Sequence, residues 1–165
     1  MITSNIIICE LKGSINSNPC ILGSYPVDIK DKKSMQMIPK FFPFGSEPGD
    51  FLTNKFDKNL ILSYIFTIKK INERDDLMSI SIIFDKKENL EIYKLVLIEI
   101  IESLSNNQLL TEENLKKYLP IIFKGIYEEC NIEIDAVKIE LHKIIENARA
   151  KYIKRKPNIR GSFSL

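Results

Sequence analysis

A chain of 165 residues has the length of one domain, enough to bury about two thirds of the surface its unfolded form exposes. With 44% apolar and 28% charged residues it is neither disordered nor fibrous, and belongs to the soluble, globular class. The net charge of +2 conceals an asymmetry: the first 148 residues hold 18 of the 24 basic groups and all 22 acids, a net −4, and no acid follows Glu146. Met1–Asn5 carries no basic side chain ahead of the short run Ile6–Cys9, so no signal peptide is expected. No apolar run approaches the ~20 residues of a membrane span. Cys9, Cys20 and Cys130 are odd in number and unpatterned, which argues against a disulfide framework and suits a reducing cytoplasm.

"NIIICELKG" (Asn5–Gly13) is rich in β-branched residues and reads as a buried strand. The polar "SINSN" turns the chain into a second short strand, Pro19–Pro26, giving a hairpin. Between Val27 and Asp57, Pro39, Pro43 and Pro48 with Gly45 and Gly49 forbid a central strand, since each proline lacks a ladder donor. Phe41, Phe42, Phe44 and Phe51 must nevertheless be buried, so an ordered loop pinned by aromatics is expected there, with a weak strand within Asp50–Phe56.

"NLILSYIFTI" (Asn59–Ile68) and "LMSISIIF" (Leu77–Phe84) are the clearest strands, with Ile80, Ile82 and Phe84 on one face and Met78, Ser79 and Ser81 set against them. Joining them is "IKKINERDDLM", a tip crowded with charge, without Gly or Pro, and with Arg74 near its middle. The segment Leu90–Leu104 predicts a mostly buried helix whose wet stripe is Glu91, Lys94, Glu99 and Glu102, lying across a sheet with helices at its flank.

Thr111-Glu112-Glu113 predicts a helix start, a hydroxyl cap followed by acids at the positive end of the dipole. Pro120 predicts a kink, or two short helices meeting at Leu119. Asp135 is placed to cap an amphipathic helix running toward Pro157, with Val137, Leu141, Ile144, Ile145 and Ala148 on its apolar stripe. The basic end from Lys151 to Arg160 is read as solvent-exposed, or as an electrostatic contact with an anionic partner or lipid. Strands, irregular loop, strands, then helices describe an α+β domain with helices packed on a mainly antiparallel sheet.

Self-contained catalytic chemistry is not visible. The lone His142 has no partner spacing for a zinc site, "GSEPG" lacks the lysine of a phosphate loop, and no cofactor or metal is expected. The acid pairs Asp75-Asp76, Glu112-Glu113 and Glu128-Glu129 read as solvating or capping groups. Aromatic and basic residues lack the ordered pattern of an RNA-binding sheet, so no nucleic acid is expected.

The order of elements resembles a known family. A strand pair, the "MIPKFFPFG" loop, a strand pair with a "KK" entry and an arginine in its tip, a long apolar helix, and "TEENLKKYLPIIFKGIYEECN" are similar to the longin-type module that opens DENN-like proteins. The likeness is to the N-terminal longin domain of nitrogen-permease-regulator-like and folliculin-like GTPase regulators, and to upstream DENN modules in the "FFPFG" loop. It implies a longin-like sheet of about five strands over residues 1–131, a C-terminal amphipathic helix over 132–156, and a basic, flexible tail over 157–165.

The resemblance also implies a cytoplasmic regulator, or one peripheral to a membrane, that binds a small GTPase or another longin- or roadblock-type protein. In that family an arginine in this hairpin tip acts as a GTPase-activating finger, and Arg74 is the matching residue here. Lys69 and Lys70 would assist the approach to a partner, and Val137, Leu141 and Ile144 would dock on the domain or on a second copy, making a homodimer. The alternatives are a non-catalytic dimerising scaffold and a peripheral-membrane trafficking adaptor. Catalysis requires Arg74 to be exposed and unpaired, whereas scaffolding is indifferent to it.

Overall fold

The computed structural model describes residues 3–14, 17–29 and 36–155. β1 (Thr3–Leu11) and β2 (Cys20–Tyr25) form the first hairpin, followed by one helical turn, α1 (Ile38–Phe41). A meander of β3 (Phe51–Phe56), β4 (Asn59–Ile68) and β5 (Asp76–Phe84) leads to α2 (Leu90–Asn106) and α3 (Glu112–Glu128). A small hairpin of β6 (Ile132–Ile134) and β7 (Val137–Ile139) precedes α4 (Leu141–Arg155). The five long strands make one antiparallel sheet in the order β2-β1-β5-β4-β3. The expected α+β architecture holds: a five-stranded antiparallel sheet, helices on it, and a further helix at the C-terminal end.

Period-two alternation sorts the strands between two cores. Ile6, Ile8, Leu62, Phe66, Ile80, Ile82 and Phe84 face the helices, while Ile7, Cys9, Ile61, Ile65 and Ile83 face the other side. Alternation along β5 is strict, so Met78 joins the helix-side face rather than that of Ser79 and Ser81. On the second face the Ser63 and Ser81 hydroxyls lie 2.6 Å apart, and the Ser81 hydroxyl donates to the Phe41 carbonyl at 3.4 Å. These serines fasten α1 to the sheet. Ile38, Phe41 and Phe42 are buried there, and Phe51 stacks on Tyr64 with ring centroids 4.6 Å apart. Phe44 departs from expectation: it stands in the turn before Gly45, whose φ is +81°, and is fully exposed.

α2 lies on the helix-side face through Ile92, Tyr93, Val96, Leu97, Ile100, Ile101 and Leu104, and the Asn89 side chain caps it by accepting from the Glu91 N–H. Ile101 is 4% exposed, whereas Ile98 is only half-buried. Thr111 caps α3, its hydroxyl oxygen accepting from the Asn114 N–H at 3.1 Å. Of the two expectations, a kink or two short helices, the second does not hold: α3 runs as one helix through Pro120. Pro120 and Lys116 are both exposed, so solvent can satisfy the Lys116 carbonyl that proline leaves without a donor. Leu115, Leu119, Ile122 and Ile126 hold both halves of the helix to the core.

The C-terminal helix begins at Leu141, not at Asp135. Asp135 and Ala136 have φ of 45° and 65° and occupy the two-residue turn between β6 and β7, the positive-φ pattern of a type I′ hairpin. The Asp135 carboxylate accepts from the Tyr118 hydroxyl, which ties the turn to α3. Gly125 permits this hairpin to pack close, since a Cβ there would lie 2.3 Å from Ile132 Cγ2 and 3.1 Å from Leu141 Cδ1. Gly125→Ala is therefore expected to lower stability by about 1–3 kcal/mol, the usual cost of overpacking, despite alanine's better helix propensity. Urea unfolding checks this, and an unchanged or raised midpoint would mean that the hairpin yields freely.

Candidate functional site: the Arg74 hairpin tip

β4 and β5 pair up to Ile68↔Asp76, which leaves Lys69–Asp75 as the tip of a hairpin whose strands are otherwise buried on both faces. The frame is rigid and the tip projects from it. Asn72 adopts φ 60°, and the Asp75 carboxylate accepts from the Lys70 N–H at 3.2 Å, closing the loop on itself. Gly13 lets the tip rest against the end of β1. A Cβ at Gly13 would lie 2.4 Å from the Arg74 carbonyl oxygen, a backbone atom that cannot move cheaply.

Asp76 anchors the base of the tip. It is 4% exposed, its Oδ1 accepts from the Gly13 N–H at 3.0 Å, and its Oδ2 lies 3.2 Å from the Lys70 ammonium. Lys70 also approaches Glu112 Oε1 at 3.7 Å. Glu10 of β1 is buried beside this group, one oxygen facing the Cys20 thiol at 3.6 Å. Two carboxyls, from β5 and α3, thus converge on one lysine, and Glu10 of β1 adjoins the second of them.

Burial alone would raise the Asp76 carboxyl, but the Gly13 N–H, a hydrogen bond with Glu112 and the Lys70 ammonium hold it below the usual range. Burial, the hydrogen bond to Asp76 and the Glu10 carboxylate push Glu112 above it. The hydrogen bond to Asp76, then its charge, raise Lys70. As ionised groups, Glu10 Oε2 and Glu112 Oε1 would be buried acceptors without a donor; a proton on Glu112, donated to Asp76, relieves part of this. The structure corrects the expectation of a solvating role for Asp76, which is buried, whereas Glu112 stands in the first turn of α3 as expected and is drawn into this group as well.

A carboxyl whose folded pKa is raised stabilises fully below its ordinary value of 4.5 and loses that contribution as pH rises through the folded value. Glu112→Gln keeps a donor to Asp76 without the ionisation. We expect it to gain about 0.5–1 kcal/mol over wild type at pH 7 and to match it near the ordinary glutamate pKa. Melting temperature against pH for the two proteins tests this; a Gln variant less stable at pH 7 would show that the fold favours the ionised form of Glu112.

Arg74 itself is exposed, and among the described residues its guanidinium has no hydrogen-bond or ion-pair partner. The two neighbouring aspartates, the obvious competitors for it, are engaged with Lys70 and Gly13. Arg74 walls two shallow clefts of about 420 and 430 Å³, which share Lys12, Gly13 and Ser14. Ile71 stands beside it, 90% exposed, an apolar contact residue that the charge-centred sequence reading passed over.

The other expected site residues lie apart. Lys69 is exposed on the tip, whereas Leu141 is fully buried and packs with Ile145 and Ala148 into the main core. Val137 is half-buried in β7, and Ile144 is half-buried against the same core. A bidentate Arg149–Glu129 ion pair fastens α4 to the end of α3. His142 contacts the Glu129 carbonyl at 3.0 Å and Glu146 at 3.1 Å on the exposed side of α4.

Among the described residues no cluster of His, Cys, Asp and Glu is arranged to hold a metal, and no helix is long and apolar enough to cross a membrane. Burial raises the Cys9 thiol to about 12, which makes it inert as a nucleophile. The tail 157–165 lies outside the described residues. No family model matches the chain, and no curated protein matches it.

Proposed function

We propose that this domain is a longin-type regulatory module that engages a small GTPase through the β4–β5 hairpin tip and stimulates GTP hydrolysis with Arg74. The observation that carries this reading is an exposed guanidinium, unpartnered among the described residues and followed by two aspartates that are bonded elsewhere. A planar, always-charged fork with no internal partner can offset charge on a transferred phosphoryl group without first breaking an ion pair. Ile71 supplies apolar contact beside it, and Lys69 adds positive charge facing phosphate-bearing partners. The protein so read acts in the cytoplasm or at a membrane surface.

A second reading, a non-catalytic dimerising scaffold, draws on β3. Among the described residues this strand pairs only with β4, so apart from the Lys55 carbonyl, which Lys40 occupies, its outer edge can take a strand from a second copy or a related longin- or roadblock-type partner. A binding screen against small GTPases held in defined nucleotide states separates the two. Nucleotide-dependent capture that is lost with Ile71→Asp supports the tip; nucleotide-independent capture untouched by Ile71→Asp supports the edge.

A further inference from the structure

We infer that the cavity between the β3–β4 turn and the β5–α2 loop, at the end of the sheet away from the Arg74 tip, is a binding site for a phosphorylated polyanion. Its volume is about 610 Å³, within the ~300–1,000 Å³ range of small-ligand sites. Four lysines line it, Lys55 from the end of β3, Lys58 from the turn after it, and Lys86 and Lys87 from the β5–α2 loop. None of the four has a carboxylate within ion-pair distance among the described residues, whereas Lys70, Lys94 and Lys124 each do. The body of the chain is net negative over its first 148 residues, so this local excess of positive charge is not an extension of a general background.

The acids at the rim do not cancel it. Asp57 and Glu88 also line the cavity, and four lysines against two carboxylates leave an excess of two positive charges. Both lysine-bearing segments are held in place, the first by the Phe56↔Asn59 pair and the second by the Asn89 cap of α2.

The apolar wall selects among anions. Leu60 and Leu90 are half-buried in the lining, and no aromatic ring is present to stack a nucleobase. Several ammonium point charges around an aliphatic floor suit a compact ring bearing more than one phosphate. Either a free cyclitol or sugar phosphate or the headgroup of a phosphorylated lipid has that chemistry.

The test uses the full chain with inositol hexakisphosphate and, separately, phosphatidylcholine vesicles with and without phosphatidylinositol bisphosphate. The variant is Lys58→Glu with Lys87→Glu, two exposed positions. The charge-matched control is Lys116→Glu with Lys124→Glu on α3, which packs beside β2 at the opposite edge of the sheet. The soluble probe is expected to shift amide signals in 55–60 and 86–90. The Lys58/Lys87 variant is expected to bind it roughly tenfold or more weakly, and the control within about twofold of wild type. Retention on the bisphosphate vesicles alone, lost in the same variant, assigns a lipid headgroup; soluble binding without vesicle retention assigns a free phosphate ligand. The site is overturned if neither probe binds, if both double variants bind like wild type, or if shifts fall mainly on the basic C-terminal end.

Discussion

Ile101→Asp is expected to unfold the protein. Ile101 is 4% exposed and sits on α2 among Leu97, Ile100 and Leu104, where helix and sheet meet. An aspartate there either stays ionised and unpaired or binds a proton and still leaves polar atoms without partners. Either outcome adds to the lost packing of the isoleucine, several kcal/mol in all against a total stability of about 5–15. Ile98→Asp, one turn away but half-buried, is the internal comparison and should keep a cooperative transition. Circular dichroism melts of the two variants decide it. An Ile101→Asp protein that melts like wild type would mean that α2 does not pack on the sheet.

Periodicity made most of this architecture legible in advance. β4, β5 and α2 carry long apolar patterns of period 2 or 3.6, and their observed spans agree with the sequence reading within two residues. Errors arose where local chemistry admits two conformations. Asp135 is as suitable in a type I′ turn as at a helix cap, and the choice falls to the turn because Ile132, Ile134 and Ile139 bury their side chains as a hairpin. Pro120 reads as a breaker, but on an exposed helix face its missing donor costs less than the packing of the buried face returns. The single turn of α1 lies among prolines and glycines that obscure any periodicity, and it is fixed by Ser81 from forty residues away.

The candidate site was half legible. An arginine in a charged hairpin tip can be read from the sequence, but its freedom cannot, because that depends on where Asp75 and Asp76 turn. Asp76 is drawn inward by the Gly13 N–H, 63 positions away in the chain, and meets Glu112, which in turn meets Glu10. No local pattern announces that convergence. Phe44 and Ile71 are apolar residues in loops that apolarity alone would send inward, and both stand in solvent.

The functional reading rests on Arg74, and its loss is expected to have the largest kinetic effect of any substitution in the chain. An arginine that offsets transition-state charge contributes roughly 10³–10⁵ in rate, or about 4–7 kcal/mol, while adding little to ground-state binding. Lysine keeps the charge but not the planar fork, so Arg74→Lys should lose most of the stimulation rather than a fraction of it. Folding should be untouched, because the Arg74 side chain is exposed and without a partner among the described residues. The measurement is single-turnover GTP hydrolysis by a GTPase that binds the domain, at saturating wild type, Arg74→Lys or Arg74→Ala, with affinity measured separately. Near-equal affinities with stimulation abolished in both variants is the predicted result; stimulation that survives Arg74→Ala, or binding by all three forms with no stimulation by any, would contradict the finger.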